Sequence, residues 1–435
     1  MQALAKAGQN GLQGTVQVPG DKSISHRALM FGAIAAGQTE IHDFLPSADV
    51  YSTMAALRAL GVQVEEKEHD LVVTGRGGFQ NFRAPKQALD FGNSGTSTRL
   101  LMGLLAAQPF DMAIEGDASL SKRPLKRVSE PLNQMGAHFD LRDGNYLPGT
   151  IRASAGLKAI DYDLPVASAQ VKSALIFAGM QAEGTTRIVS PLISRDHTER
   201  MLRKFGGQIK VAGKVIEIAA QPQLEGQVID VPGDISSAAF FLVAGLITPN
   251  SKLRLKKVGI NPTRTGVITL LERMGAQIKL DKFQDDAEPV ADLLVESQPL
   301  HGIEIGAADI PAAVDELPIL ALAAACAQGQ TIISGAEELR VKESDRIAEM
   351  VKVLQSLGVD VEEKPDGMVI KGGRPLKTAK PEIALSANGD HRLAMVIAVA
   401  ALVTEGQVNL LDPEAMRVSY PNFLQDLTNL MKVKE

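Results

Sequence analysis

Apolar positions along this chain fall into two alternating kinds of helix-length run. One kind is apolar on nearly every side. Six such stretches recur: "KSISHRALMFGAIAAG", "GNSGTSTRLLMGLLA", "ASAQVKSALIFAGM", "ISSAAFFLVAGL", "AAVDELPILALAAACA" and "NGDHRLAMVIAVAAL". A helix with no polar face has to be covered all round, so these predict six core helices. The other kind is amphipathic and ends in glycine: "LRALGVQVEE", "LNQMGAHFDL", "LRKFGGQIKV", "LERMGAQIKL" and "LQSLGVDVEE". Glycine just past a helix accepts the left-handed backbone of a C-cap. Alternating runs such as "HDLVVTG", "KVIEIAA" and "GMVIKGG" predict strands.

The cap glycines Gly61, Gly136, Gly206, Gly275 and Gly358 are spaced by 75, 70, 69 and 83 residues. This is an internal repeat: strand, buried helix, strand, amphipathic helix, two strands. Six units fill the 435 residues. The last, ending in "FLQDLTNLMKVKE", reads as a unit cut at its second helix. Two near-copies of one phrase, "GTVQVPGD" and "GQVIDVPGD", precede units one and four. They predict an α/β protein of two domains with three repeats each. Residues 20–230 carry repeats 1–3, and residues 1–19 with 231–435 carry repeats 4–6. The strand at 13–18 goes with the second domain, and the chain crosses near 18–21 and 231–234. One continuous solenoid is the alternative, but solenoid periods are usually about 20–50 residues.

Composition narrows the function. The chain is 45% hydrophobic and 22% charged, as globular proteins are. It has 45 basic and 51 acidic residues, so no basic excess marks a nucleic-acid partner. There is no Trp and only four Tyr, which gives no stacking platform for bases. The longest apolar runs have 11 residues, short of the roughly 20 that a membrane helix needs. No long apolar segment follows the N-terminal lysine, and Cys326 is the one cysteine. A cytoplasmic protein is expected, without disulfides or membrane contact. The seven histidines form no Cys-x-x-Cys or His-x-x-x-His pattern, so no metal is expected.

Charge gathers where the buried helices begin. Free N–H groups and the positive dipole end make such starts attractive to anions. The first start has Lys22, Ser23 and Arg27, and the second, "GNSGTSTRL", has Gly95 and Arg99. "GDASLSKRPLKR" brings Lys122, Arg123, Lys126 and Arg127, with Pro124 able to open a helix behind Arg123. The third start offers Ser168 and Gln170 as neutral donors, and "SRDHTER" adds Arg195. Lys172 reads as a solvated or edge residue. In the second half, Asp315 and Glu316 open one apolar helix, and Asp390, His391 and Arg392 open another. "LRVKESDRIAEM" spaces Lys342, Glu343 and Arg346 along what would be one helix face. Taken singly, each cluster fits a capped helix or a solvated face. Together they fit a site holding more than one anionic group, with a base and an acid at hand. Cys326, inside "ALAAACAQG", reads as a small buried hydrophobe.

"PGDKSISHRAL", "GNSGTSTRL", "GDASLSKRP", "ASAQVKSA", "ELRVKESDRI" and "DHRLAM" stand in one order along the chain. In this the sequence resembles the 3-phosphoshikimate 1-carboxyvinyltransferases, or EPSP synthases, across almost its whole length. The resemblance implies the enolpyruvyl transferase fold, an inside-out α/β barrel of two domains with three βαβαββ repeats each. It implies transfer of the enolpyruvyl group of phosphoenolpyruvate to the 5-hydroxyl of shikimate 3-phosphate, with release of phosphate and no cofactor. Those two small molecules would be the partners of a monomer. Carried over by motif, Lys22, Ser23, Arg27, Ser168, Ala169, Gln170, Arg195, Asp315 and Lys342 hold shikimate 3-phosphate. Lys22, Gly95, Arg123, Gln170, Arg346 and Arg392 hold phosphoenolpyruvate. Asp315, Glu343 and Lys22 are the catalytic candidates. "NSGTSTRL" and "SRDHTER" resemble the family's second subclass (class II), in which Leu100 stands where the other has proline. "RVSYP" has Val418 where the other subclass has lysine, with Arg417 beside it.

Two other readings compete. The UDP-N-acetylglucosamine enolpyruvyl transferases share the architecture but characteristically carry a loop cysteine and a Lys-Asn near the start. Here Lys22 is followed by Ser23. A non-catalytic organic-phosphate-binding protein would need the basic residues but neither Asp315 nor Glu343.

Overall fold

The computed structural model describes residues 1–431. The last four residues of the sixth repeat's "FLQDLTNLMKVKE" lie outside the described residues. The chain divides into two compact units: Gly20–Val231, and Met1–Pro19 together with Pro232–Glu435. Each has its own apolar core, one including Val231 and the other Val18.

The six predicted core helices form at Lys22–Ile34, Gly95–Leu104, Ala169–Gly179, Ile235–Ile247, Leu317–Cys326 and His391–Ala401. Their burial follows from their composition: every residue from Ile24 to Ile34 is buried, as is every residue of His391–Ala401. Within a unit these helices pack closely on one another. A Cβ placed on Gly103 would stand 2.1 Å from the Ala174 carbonyl oxygen, so only glycine lets those two helices meet. Phe31 and Phe177, from the first and third core helices, lie 5.0 Å apart between ring centroids. The amphipathic helices Ala48–Ala59, Lys126–Gln134, His197–Lys204, Gly266–Arg273 and Arg346–Ser356 alternate with them. All five predicted cap glycines have φ between 78° and 100°.

Each repeat makes one main sheet, and the third adds a two-stranded one, Leu157–Lys158 with Ala182–Glu183. The hairpin Gln63–Lys67 and Asp70–Thr74 lies antiparallel to Gln38–His42. That strand pairs in parallel with Val228–Asp230, from the far end of the unit. The fourth repeat mirrors it: Lys252–Gly259 pairs in parallel with Gln13–Val16. The two Val-Pro-Gly-Asp phrases therefore close a strand exchange. Gln13–Val16 runs on into the Lys22 helix but pairs beside the strand that follows the Ile235 helix. Val228–Asp230 runs on into the Ile235 helix but pairs beside the strand that follows the Lys22 helix. Gly20 is needed at its crossing, because a Cβ there would lie 2.1 Å from the Asp43 carbonyl oxygen.

Among the described residues the sixth repeat ends at its second helix, Phe423–Met431, as its sequence reads, and its sheet has three strands. Gln2–Ala3 pairs antiparallel with Glu405–Leu410, which itself pairs in parallel with Lys377–Leu385. Two residues at the far end of the sequence complete the sheet. Among the described residues no helix is long and apolar enough to cross a membrane.

Candidate active site

The starts of the three core helices converge in each unit. In the Gly20–Val231 unit, Asp21 caps the first helix by accepting from the Ile24 N–H at 2.9 Å. Ser94 caps the second from the Ser97 N–H at 3.1 Å, and Ser168 the third from the Val171 N–H at 3.4 Å. The candidate cations sit around these caps. Lys22 Nζ contacts Asp49 at 3.1 Å. Arg27 is not the solvated charge that a simple capped helix would carry. It is 3% exposed, with Nε donating to Thr198 Oγ1 at 2.7 Å and its terminal nitrogens to the Ser23 carbonyl and Ser173 Oγ. Ser23 thus lends its carbonyl to Arg27.

The run "SKRPLKR" separates by burial. Lys122, Lys126 and Arg127 are exposed, whereas Arg123 turns inward and donates to Asn93 Oδ1 at 2.7 Å. Pro124 does not open the helix behind it. That helix is Lys126–Gln134, and Arg123 instead closes the short turn Leu120–Lys122. Gln170 donates to Thr96 Oγ1 at 3.2 Å and accepts from Arg99 at 3.1 Å, joining the second and third helix starts. Gly95 stands at the same place, where a Cβ would meet Arg99 at 2.6 Å and Arg123 at 3.5 Å. Ala169 begins the third helix beside Gln170. Arg195 is half-buried in the segment before the His197–Lys204 helix. Lys172, expected at a solvated edge, is buried: Nζ lies 2.7 Å from Glu199 and 3.1 Å from the Ser194 carbonyl oxygen. Its helix has no polar face, so its ammonium had to find a partner inside.

His26 is fully buried on the first core helix, and its Nδ1 shares a 2.7 Å hydrogen bond with Thr53 Oγ1. Burial above all, with Lys22 and Arg27 nearby, holds its pKa well below the usual 6.5.

The second unit gathers a denser network. Asp234 caps the Ile235 helix and Asp390 caps the His391 helix, accepting at 2.8 and 2.9 Å. His391, next to the capping Asp390, is itself buried. "LRVKESDRI" is not one helix face. Lys342 and Glu343 precede the Arg346–Ser356 helix, and Arg346 is its first residue. Arg346 is buried, with Nε 2.8 Å from Asp390, a terminal nitrogen 2.6 Å from Glu343 and the other 3.5 Å from Asp315. Burial alone would weaken this guanidinium, but Asp390, Glu343 and Asp315 outweigh it and hold it charged. Burial also opposes ionisation of Asp390, and Arg346 overcomes it, keeping the carboxyl below the usual range. Arg392 lies 3.7 Å from Asp315 and 3.9 Å from Glu316. Ser236 Oγ donates to Glu316 and accepts from Arg264 at 2.7 Å. Lys342 stands slightly apart, paired with Glu338 at 2.7 Å.

Sequence reasoning missed Asp49, Thr198, Ser173 and Arg264, and it gave Asp390 and Glu316 no role. Asp49 and Thr198 lie on amphipathic helices, where a polar residue is unremarkable. Two other residues fall elsewhere. Cys326 is half-buried at the end of its helix, and burial pushes its thiol up to about 12, which makes it a poor nucleophile. Arg417 is exposed and lines a depression of about 580 Å³ with Gln2, Glu414 and Gln425; no other candidate residue lines it. Among the described residues no group of three His, Cys, Asp or Glu is arranged to hold a metal ion.

The two units, each with three core helices and small sheets, have the enolpyruvyl transferase fold. The enolpyruvyl transferase NikO from Streptomyces tendae matches it at a TM-score of 0.78, with 20% identity over 98% of this chain and 97% of that one. The family is narrower than the fold. The model of EPSP synthase (3-phosphoshikimate 1-carboxyvinyltransferase) matches residues 6–427, and the chain belongs to that family. EPSP synthase from Acinetobacter baumannii matches at a TM-score of 0.88 and 44% identity, covering 99% of this chain and 98% of that one. The 3-phosphoshikimate 1-carboxyvinyltransferase of Leuconostoc mesenteroides is 60% identical over 99% of both chains. That of Bacillus cytotoxicus is 49% identical over 97% of this chain and 99% of its own.

Proposed function

We propose that this chain transfers the enolpyruvyl group of phosphoenolpyruvate to the 5-hydroxyl of shikimate 3-phosphate, releasing phosphate. The observation that carries the mechanism is Arg346, a buried guanidinium with Glu343 at 2.6 Å and Asp315 at 3.5 Å. It sets a cation for an anionic substrate beside two carboxylates able to move protons.

Phosphoenolpyruvate carries a phosphate and a carboxylate, and guanidinium groups suit both. Arg123, Arg346 and Arg392 take these groups, with Lys22 and Gln170, and Gly95 leaves them room. Shikimate 3-phosphate is held by Lys22, Ser23, Arg27, Ser168, Ala169, Gln170, Arg195, Asp315 and Lys342. Ser168 can cap its helix and still donate its O–H to a phosphate oxygen. Once the substrate anion sits on Arg346, Glu343 takes up a proton and gives it to the methylene carbon of phosphoenolpyruvate, which makes the neighbouring carbon electrophilic. Asp315 accepts the proton of the 5-hydroxyl as its oxygen forms the new C–O bond. Glu343, left as a carboxylate, takes a methyl proton back from the tetrahedral adduct as the C=C bond re-forms and the C–O bond to phosphate breaks. The proton held by Asp315 leaves with the phosphate, and Lys22 stabilises charge on that leaving group. Each step uses side chains alone.

On this reading the protein acts as a monomer on two small-molecule partners, shikimate 3-phosphate and phosphoenolpyruvate. A single half-buried cysteine suits the reducing cytoplasm. The test is phosphate release from purified protein mixed with shikimate 3-phosphate and phosphoenolpyruvate. Release is expected. Folded protein that is silent here but active with UDP-N-acetylglucosamine would overturn the proposal.

A further inference from the structure

The buried pair Lys172–Glu199 has no part in the steps above. Its side chains are 3% and 2% exposed, and Nζ meets Oε1 at 2.7 Å. Such a pair is a poor source of stability. Desolvating two charges offsets most of their attraction, and apolar residues of similar volume often do as well or better. This pair is also imperfectly satisfied, since Glu199 Oε2 is buried and makes no hydrogen bond among the described residues. What it does fix is geometry. Lys172 Nζ also donates to the Ser194 carbonyl oxygen, 22 residues on in sequence and next to Arg195. The neighbouring Ser173 shares a 2.7 Å hydrogen bond with Thr198, which accepts from Arg27. Two consecutive residues of the Ala169–Gly179 helix therefore grip residues 194–199 from both sides of Arg195.

We propose that Lys172–Glu199 is a positioning pair that sets where the Arg195 guanidinium stands, and so the affinity for the phosphate group of shikimate 3-phosphate. This rests on the assignment of Arg195 to that phosphate. Lys172 itself touches neither substrate.

A double-mutant cycle between Lys172→Met and Arg195→Ala tests the proposal. Arg195→Ala is expected to raise KM for shikimate 3-phosphate about tenfold or more, as loss of one charge-assisted hydrogen bond does. Lys172→Met is expected to raise the same KM about tenfold, leaving kcat and KM for phosphoenolpyruvate nearly unchanged. In the Arg195→Ala background it should add little. If Arg195→Ala leaves KM unchanged, the assignment of Arg195 fails. If Arg195→Ala acts but Lys172→Met is silent or has the same effect in both backgrounds, the positioning proposal fails and the assignment stands. Should Lys172→Met not fold, Lys172→Met with Glu199→Leu removes both charges together. That variant should recover the melting temperature and keep the raised KM. Recovery of both would make the pair merely structural and overturn the proposal.

Discussion

Arg346 and Asp390 lie 44 residues apart in sequence, yet Nε meets a carboxylate oxygen at 2.8 Å with neither side chain more than 1% exposed. The carboxylate also caps the His391–Ala401 helix, so one residue fixes both a helix start and a guanidinium. Asp390→Asn keeps an oxygen for the cap but removes the charge that Arg346 faces. Stability should fall by about 3–5 kcal/mol, the usual result of breaking a buried pair, read as a lower denaturant midpoint. The sign with pH follows from the depressed carboxyl. Its stabilisation is complete above the unfolded value of 3.8 and is lost as pH falls through the folded value. The gap between wild type and variant should therefore narrow below about pH 4.

His26 also loses stability on acidification, but from a higher pH. Its folded pKa lies well below 6.5, so the unfolded chain takes up a proton that the folded one refuses. Nothing is lost above pH 6.5, where both forms are neutral. Below it, each pH unit should cost up to about 1.4 kcal/mol until the folded value is reached. Thermal unfolding between pH 7 and 5 should show this slope, and His26→Gln should flatten it. An equally steep slope in the variant would remove His26 as the cause.

Gly103 tests the packing of the core helices. Alanine there would bring its Cβ onto the Ala174 carbonyl, a backbone atom that cannot swing aside. A loss of about 1–3 kcal/mol is expected from the forced separation. Urea unfolding should show it, with little change in KM for either substrate at temperatures where the variant is folded.

Glu343 tests the chemistry. Glu343→Gln keeps a neutral amide near Arg346 but cannot supply the proton. Turnover should fall by about 10² or more, the usual worth of a positioned acid, while binding of shikimate 3-phosphate persists in calorimetry. Near-normal turnover would move the acid role to another group.

Much of this was readable along the chain. Hydrophobic patterning alone separates core helices from amphipathic ones, because a helix can be covered on every side only if every side is apolar. The glycine period gave six repeats, since a left-handed cap selects glycine by local sterics. The positions of Lys22, Gly95 and Arg392 near helix starts were also legible.

What the linear pattern cannot hold is the partner of each charge. Lys172 looks solvated beside its neighbours, and it is buried only because Glu199 is there to receive it. Arg346 looks like one member of a surface ladder, and it is the hub of three carboxylates drawn from separate segments. The sixth sheet is completed by residues 2 and 3, more than 400 positions away. Local sequence determines which elements form, because propensity, capping and periodicity act within a few residues. Tertiary structure decides which ends meet and whether a charge is buried, because desolvation and ion pairing depend on segments that only folding brings together.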